Sequence, residues 1–218
     1  MRSGRSSAWI QLILSMVLLT GISGCALGVM AGKMFFGDPK QTCVFRQVTD
    51  VDLTKGEHKL LMVCSTPHSL QSQYPTLQID LVDRISLALE SRSINIISGD
   101  EVAAWYDDHG SWGNYDELAK EFDADYLALV NIKFFTERVE NSETLLQGTC
   151  SGEVSIFEVK STGLADKAIH PFNIMYPTTH PIPRDLKSED LFQEAFKERI
   201  AVQLSQFFYD HRASETVH

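Results

Sequence analysis

A cysteine and a histidine, Cys64 and His68, lie four positions apart where an apolar stretch gives way to a polar one. A thiol with a neighbouring imidazole as its base is a pair used in nucleophilic catalysis. Pro67 separates them, and no third residue in the sequence orients the imidazole, so we favour a buried thiol beside a surface histidine. An alternative hydrolase or ligand-binding cleft at the strand ends would use Ser65, His68 and Asp125.

A second group of chemically capable residues follows along the chain. Asp107, Asp108 and His109 are consecutive, and Asp116 and Glu117 come soon after them. Carboxylates and imidazoles bind metals, but this run lacks the alternating oxygen ligands of an EF-hand loop. We therefore interpret it as a solvated acidic turn and predict no metal site.

Asp123 and Asp125 form a third group, just before an apolar stretch. A carboxylate pair can perform general acid–base catalysis. An aspartate after a helix also tolerates a turn conformation and bonds to nearby backbone, and we favour this structural role. The chain contains none of the phosphate-loop, serine-elbow or zinc-peptidase motifs. We predict no catalytic residue, no cofactor and no enzymatic activity.

Aromatic residues are concentrated around a glycine-bearing turn, at Trp105, Tyr106, Trp112 and Tyr115. Tryptophan and tyrosine are enriched where proteins contact other proteins. Core packing is the simpler interpretation of Trp105, whereas Trp112 lies between a serine and a glycine, which favours exposure. We predict that these four residues contact a protein partner.

The first 25 residues have the three-part organisation of a secretion signal. Arg2 and Arg5 precede an apolar run, Trp9 to Leu19, and small residues then lead to Cys25. The order Leu-Thr-Gly-Ile-Ser-Gly-Cys that ends at Cys25 resembles the lipobox of bacterial lipoproteins. The resemblance implies that the chain is cut before Cys25 and that this residue receives fatty acyl chains such as palmitate.

An uncleaved transmembrane anchor is the alternative, because no charged residue lies between Arg5 and Lys33 and about 20 apolar residues span a bilayer. Glycines in the second half of this stretch lower helix propensity and favour cleavage. Both interpretations place the remaining chain outside the cytoplasm, in the periplasm, since the arginines stay inside. Among lipoproteins the residue after the acylated cysteine influences sorting, and Ala26 favours the outer over the inner membrane.

The charge and the cysteine content limit the possible partners and crosslinks. The chain has 218 residues and a formal net charge of -10. Phosphate binding needs clusters of lysine and arginine, so we predict no nucleic acid partner.

Cys43, Cys64 and Cys150 remain beyond Cys25, and an odd number leaves at least one free thiol in an oxidising compartment. The sequence leaves their pairing open.

Hydrophobic periodicity predicts an α/β fold with a single mixed sheet. Crossover helices connect the early strands, an antiparallel hairpin comes late, and an amphipathic C-terminal helix capped by Ser188 packs on the sheet. The predicted strands are 59–64, 94–97, 126–135, 145–157, with a bulge at a glycine, and 167–175, and the predicted helices are 77–89, 100–106, 116–122 and 188–207.

We divide the chain into a signal peptide (1–24), a lipid-tethered linker (25–56), an α/β globular domain (57–212) and a disordered tail (213–218). The linker prediction rests on the small and turn-forming residues of this segment and on its lack of periodicity. Packing of Val44 to Val48 on the domain as a short extended piece is the alternative for this part of the linker. We predict that the chain is attached to the membrane through the lipid anchor on Cys25.

The core elements resemble those of a group of bacterial envelope proteins. The residues that carry the resemblance are Leu60 to Cys64, Leu77 to Leu89, Ile94 to Val102, Leu118 with Ala119, Phe122 to Leu127, Leu146 to Gly148 and Ser161 to Gly163. The group contains the lipoprotein activator of penicillin-binding proteins, the curli secretion lipoprotein and the amino-terminal domain of the Tol-system propeller protein. The resemblance covers about residues 58–210 and implies a non-catalytic accessory, scaffold or docking module for another envelope protein.

Overall fold

The computed structural model describes residues 39–109, 115–212 and Glu215. Residues 42–211 form one unit, and the described residues 39–41, 212 and 215 belong to a second unit. The strands are β1 (Lys40–Gln41), β2 (Lys59–Ser65), β3 (Asn95–Ile96), β4 (Tyr126–Arg138), β5 (Leu145–Lys160), β6 (Gly163–Tyr176), β7 (Ile182–Pro183) and β8 (His211–Arg212). The helices are α1 (Val44–Thr49), α2 (His68–Gln73), α3 (Leu77–Glu90), α4 (Gly99–His109), α5 (Tyr115–Glu121) and α6 (Glu189–Ser205), and Leu53–Lys55 form a 3-10 turn.

A mixed sheet with strand order β3-β2-β4-β5-β6 organises the larger unit, and β7 also pairs with β5. Strand β2 pairs in parallel with β3 and β4, whereas β4–β5 and β5–β6 are antiparallel. Parallel neighbours need a crossover connection, which α3 provides between β2 and β3, and α4 with α5 provides between β3 and β4. The predicted mixed sheet with early crossovers and a late hairpin is confirmed.

Helices α1, α3 and α6 cover one face of the sheet. The apolar stripe predicted for α3 is confirmed, because side chains at helical spacing on this helix are buried against the sheet. Helix α6 contributes two fully buried phenylalanines to the same core. The fully buried residues of these two helices include Leu81, Ile85, Leu89, Phe192, Phe196, Ile200 and Leu204.

Helix α6 begins at its predicted cap, where the Ser188 hydroxyl accepts a hydrogen bond from the Leu191 amide at 3.4 Å. The predicted apolar face of α6 included Leu191, but the structure leaves this residue 64% exposed. Leu191 lies in the first turn, next to the buried Phe192, and points away from the sheet. The buried face of α6 therefore begins at Phe192, one residue later than predicted.

The segment from Thr42 to Lys55 is part of the folded unit. The Phe45 side chain has no exposed surface, and its ring packs edge-on against Tyr126 with centroids 4.9 Å apart. Cys43 and Leu53 are buried in the same core. The alternative in which Val44 to Val48 pack on the domain therefore describes this segment better than a linker up to residue 56, but the segment is a helix and not an extended piece. A six-residue helix and a 3-10 turn bury so few side chains that no periodicity appears in the sequence.

A β-bulge interrupts the long β4–β5 ladder opposite a glycine. The register shifts by one residue at Lys133, which lies across from Gly152 and Ser151. A Cβ atom on Gly152 would lie 2.1 Å from the Asn131 carbonyl oxygen, so only glycine permits the two backbones to approach this closely. The bulge predicted at a glycine is present, with the extra residue in the partner strand.

Candidate functional site

The structure does not bring Cys64 and His68 together. The Cys64 side chain is buried in the core of the α3 and α6 face, while His68 is exposed at the first residue of α2. Burial, with the Cys150 thiol nearby, raises the pKa of the Cys64 thiol well above its ordinary value. A thiol held protonated at neutral pH is a poor nucleophile, and with His68 at the surface the two side chains do not form a catalytic pair.

Asp123 and Asp125 shape the turn that leads into β4. The Asp125 carboxylate accepts a hydrogen bond from the Lys59 amide at 2.8 Å, and the Asp125 amide donates to the Lys59 carbonyl oxygen at 3.0 Å. Asp123 adopts the left-handed conformation with φ of 50°. Both residues therefore have the turn-forming roles that the sequence favoured over acid–base catalysis.

The polar residues of the alternative cleft lie at opposite ends of the sheet. Asp125 binds the backbone of Lys59, the first residue of β2, whereas Ser65 is the last residue of this strand. A strand rises about 3.3 Å per residue, which separates these two positions by about 20 Å. Ser65, His68 and Asp125 therefore do not form a common site.

A narrow cleft opens between α3 and α4 near the end of β2. Its walls are mainly apolar, with Met62, Val82 and Val102 among them, and the Asp83 carboxylate is its charged group. Burial, together with nearby carboxylates, raises the pKa of Asp83 above its ordinary value. The cleft holds about 30 Å³, which is room for about two water molecules. Small-molecule sites are typically several hundred Å³.

The acidic residues around the glycine-bearing turn lie on two different helices. Asp107 and Asp108 are exposed in the last turn of α4, and Asp116 and Glu117 lie in the first turn of α5. The Asp116 carboxylate pairs with Lys120 at 2.6 Å. Across residues 39–109, 115–212 and 215, no three His, Cys, Asp or Glu side chains are grouped so that they could hold a metal ion.

Three of the four predicted contact aromatics pack into the protein. Trp105 and Tyr106 are only 9% and 5% exposed, and their rings pack edge-on with centroids 5.4 Å apart. Tyr115 is half-buried against the same cluster, which joins α4 and α5 to the sheet. Trp105 and Tyr106 therefore expose little surface to a partner, Tyr115 stays partly exposed, and the contact role of these residues stays a prediction. Trp112 lies outside the described residues.

The structure reveals an exposed region of the sheet that the sequence analysis missed. Helices α4 and α5 pack on β2, on the first residues of β4 and on the neighbouring ends of β5 and β6. No described element covers the same face at the other end of β4, β5 and β6. The open sheet face, as we name it, consists of Asn131, Lys133 and Phe134 of β4, Thr149, Ser151 and Glu153 of β5, and Ile169, Pro171, Asn173 and Met175 of β6.

Apolar side chains on the open sheet face are well exposed. Phe134 is 50% exposed, Ile169 63% and Met175 41%. One feature of the sequence could have indicated the open sheet face, namely that β4 is longer than β2. Strand β2 ends at Ser65, opposite Asn131, whereas β4 continues to Arg138. The helices that flank β2 end with it and leave the longer hairpin uncovered.

The three cysteines of the folded unit are free and buried. Cys64 and Cys150 lie in β2 and β5, which are two strands apart in the sheet. That spacing is about 10 Å, beyond the roughly 7 Å that a disulfide can join. Burial raises the pKa of Cys43 to about 11 and that of Cys150 to about 12.

We expect these thiols to react very slowly with N-ethylmaleimide in the folded protein. The raised pKa of Cys43 lowers its thiolate fraction about 100-fold, and the pKa values of Cys64 and Cys150 are raised further. Burial also blocks access of the reagent. The measurement is mass spectrometry of a Cys25→Ser chain, labelled at neutral pH with and without urea. Labelling of Cys43, Cys64 or Cys150 at the denatured rate without urea would contradict the described packing.

The predicted signal peptide and Cys25 lie outside the described residues, as does the predicted tail apart from Glu215. Within the ranges that are described, none of the helices combines the length and the apolar character needed to cross a bilayer.

No protein family model matches the chain, and no curated protein is similar to it in sequence. The solved structures to which it is similar include the lipoprotein GNA1162 from Neisseria meningitidis, with 9% identity, a TM-score of 0.43 and coverage of 68% of this chain and 98% of that one. The PelC dodecamer from Paraburkholderia phytofirmans has 9% identity, a TM-score of 0.41 and coverage of 78% and 96%. The LpoB C-terminal domain from Salmonella enterica has 10% identity, a TM-score of 0.36 and coverage of 60% and 89%. Bacterial lipoproteins are thus among the structures that this chain resembles, as the sequence predicted.

Proposed function

We propose that this chain is a lipid-anchored protein of the bacterial envelope whose folded unit is a non-catalytic scaffold or docking module. The observation that carries the proposal is the lipobox-like order of residues 19–25 behind a basic and then apolar amino terminus. Several acyl chains on Cys25 hold a protein at a bilayer far better than one chain does. Residues 26–41 then span at most about 55 Å between the anchor and the folded unit.

The non-catalytic role is supported by what the chemically capable side chains do in the structure. Cys64 is buried as a protonated thiol, Asp125 binds the backbone of Lys59, and Asp116 pairs with Lys120. Each of these groups has a structural partner or environment that accounts for its position. The open sheet face, by contrast, offers surface for another macromolecule.

The proposal also covers the membrane location of the folded unit and its protein partner. The arginines of the leader orient the folded unit towards the periplasm, and Ala26 favours the outer membrane. Trp112 stays the predicted aromatic contact to an envelope protein, because its neighbours Ser111 and Gly113 favour exposure.

Acylation is tested by replacing the one residue that would carry it. We expect a Cys25→Ser chain to lose all incorporation of an alkyne palmitate analogue and to leave the membrane fraction, because the substitution removes the acylated sulfur. A Cys43→Ser chain is the matched control and should keep both the label and the membrane association, since Cys43 is buried in the folded unit.

The mature amino terminus gives a second readout of the same proposal. Mass spectrometry should find a chain that begins with a modified Cys25. An unlabelled wild-type chain that keeps Met1 would contradict the lipoprotein assignment, and its presence in membranes would favour the uncleaved anchor.

A further inference from the structure

Met175 carries the one exposed sulfur atom among the described residues. The other sulfurs of this part of the chain belong to Cys43, Met62, Cys64 and Cys150, and all four side chains are buried. Met175 is 41% exposed on β6, which pairs only with β5 among the described strands. Oxidation of a sulfur depends on its access to solvent. A dissolved oxidant therefore meets Met175 before the other four.

A glutamine side chain holds the Met175 sulfur from one side. The Gln147 Nε2 donates a hydrogen bond to the Met175 Sδ at 3.4 Å, and the same nitrogen donates to the Pro177 carbonyl oxygen at 3.2 Å. Gln147 is half-buried in β5, and Thr149 of the same strand pairs with Met175 in the ladder. The second hydrogen bond fixes the Gln147 amide, so its contact with the sulfur has a defined direction.

The contact with Gln147 makes the two lone pairs of the Met175 thioether unequal. A thioether sulfur is a weak acceptor, and one of its lone pairs accepts the amide hydrogen while the other stays free. Oxidation by hydrogen peroxide uses one lone pair. An S–O bond forms, the O–O bond breaks, and the departing hydroxide takes the proton from the sulfur-bound oxygen and leaves as water. Sulfur loses two electrons and the peroxide gains them.

We propose that Met175 is a stereoselective oxidation site, at which a peroxide forms one epimer of methionine sulfoxide in excess. The Gln147 amide shields one lone pair, so the oxygen is added to the other. Sulfoxide formation is reversible, and a separate reductase acts on each epimer. Oxidation thus exchanges an apolar side chain of the open sheet face for a polar and chiral one. The proposal stands without the lipid anchor and without a docking partner.

Peptide mass spectrometry of the full chain after brief treatment with hydrogen peroxide tests this site. Trypsin releases residues 60–84, in which Met62 is the sole methionine, and residues 168–184, in which Met175 is. We expect Met62 to be oxidised about 100-fold more slowly than Met175, because burial excludes the oxidant. The two epimer-specific reductases, applied to the digested peptide, then measure the epimer ratio at Met175, which we expect to be about fivefold or more.

Two variants separate the effect of Gln147 from that of exposure alone. Gln147→Leu removes the donor, so Met175 should stay reactive while the epimer ratio falls close to one. Thr149→Val, at the position paired with Met175, keeps the donor and should keep the ratio. Slow oxidation of Met62 in the same digest shows that each variant is folded. The proposal is overturned by a wild-type ratio near one, by a ratio that survives Gln147→Leu, or by oxidation of Met175 as slow as that of Met62.

Discussion

Replacing Gly152 with alanine is expected to destabilise the folded unit by about 3 kcal/mol, at the upper end of the range for overpacking substitutions. The added Cβ would lie 2.1 Å from the Asn131 carbonyl oxygen and 3.0 Å from the Ile132 Cα. Both atoms belong to the backbone, so no side chain can rotate away. The hydrogen-bonded ladder between β4 and β5 must separate at the bulge to accept the methyl group.

Urea unfolding of purified full chains, followed by tryptophan fluorescence, measures this loss. Ser151→Ala is the matched control, since it changes a half-buried neighbour in the same strand, and we expect a change below about 0.5 kcal/mol. Equal unfolding midpoints for the two variants would show that β4 does not approach Gly152 as described.

Replacing Phe45 with alanine is expected to cost about 3–5 kcal/mol of stability. The ring is fully buried and contacts Tyr126 and Phe208, with centroid distances of 4.9 and 6.0 Å. Removing it leaves a cavity where α1 joins the end of the sheet, and the segment before β2 loses its main attachment.

The same unfolding experiment distinguishes a folded segment from a tether. Leu191→Ala is the control, because it removes apolar atoms from a side chain that is already 64% exposed. If residues 42–55 were a linker, as their composition suggested, Phe45→Ala would behave like this control.

The long amphipathic elements could be predicted from the sequence because periodicity reports burial directly. Leu81, Ile85 and Leu89 recur at helical spacing, and all three are fully buried in α3. The continuous apolar run of β2 likewise indicated a strand covered on both faces, and its central residues are buried in two different cores. In these elements local sequence and tertiary environment agree.

Short elements and surface exposure could not be predicted in this way. Phe45 is the single fully buried residue of a six-residue helix, and one apolar residue has no period. Trp105 and Tyr106 have the composition of a contact site, yet they fill the space between α4 and the sheet. The open sheet face depends on where neighbouring helices end, which is a property of the assembled fold.

Strand β6 ends the sheet, and among the described strands it pairs only with β5. Pro171 lies within this terminal strand and has no amide hydrogen to donate. An extended foreign chain that tried to continue the ladder would therefore find a gap in the row of donors. The missing donor at Pro171 therefore protects this exposed sheet edge against strand-by-strand aggregation.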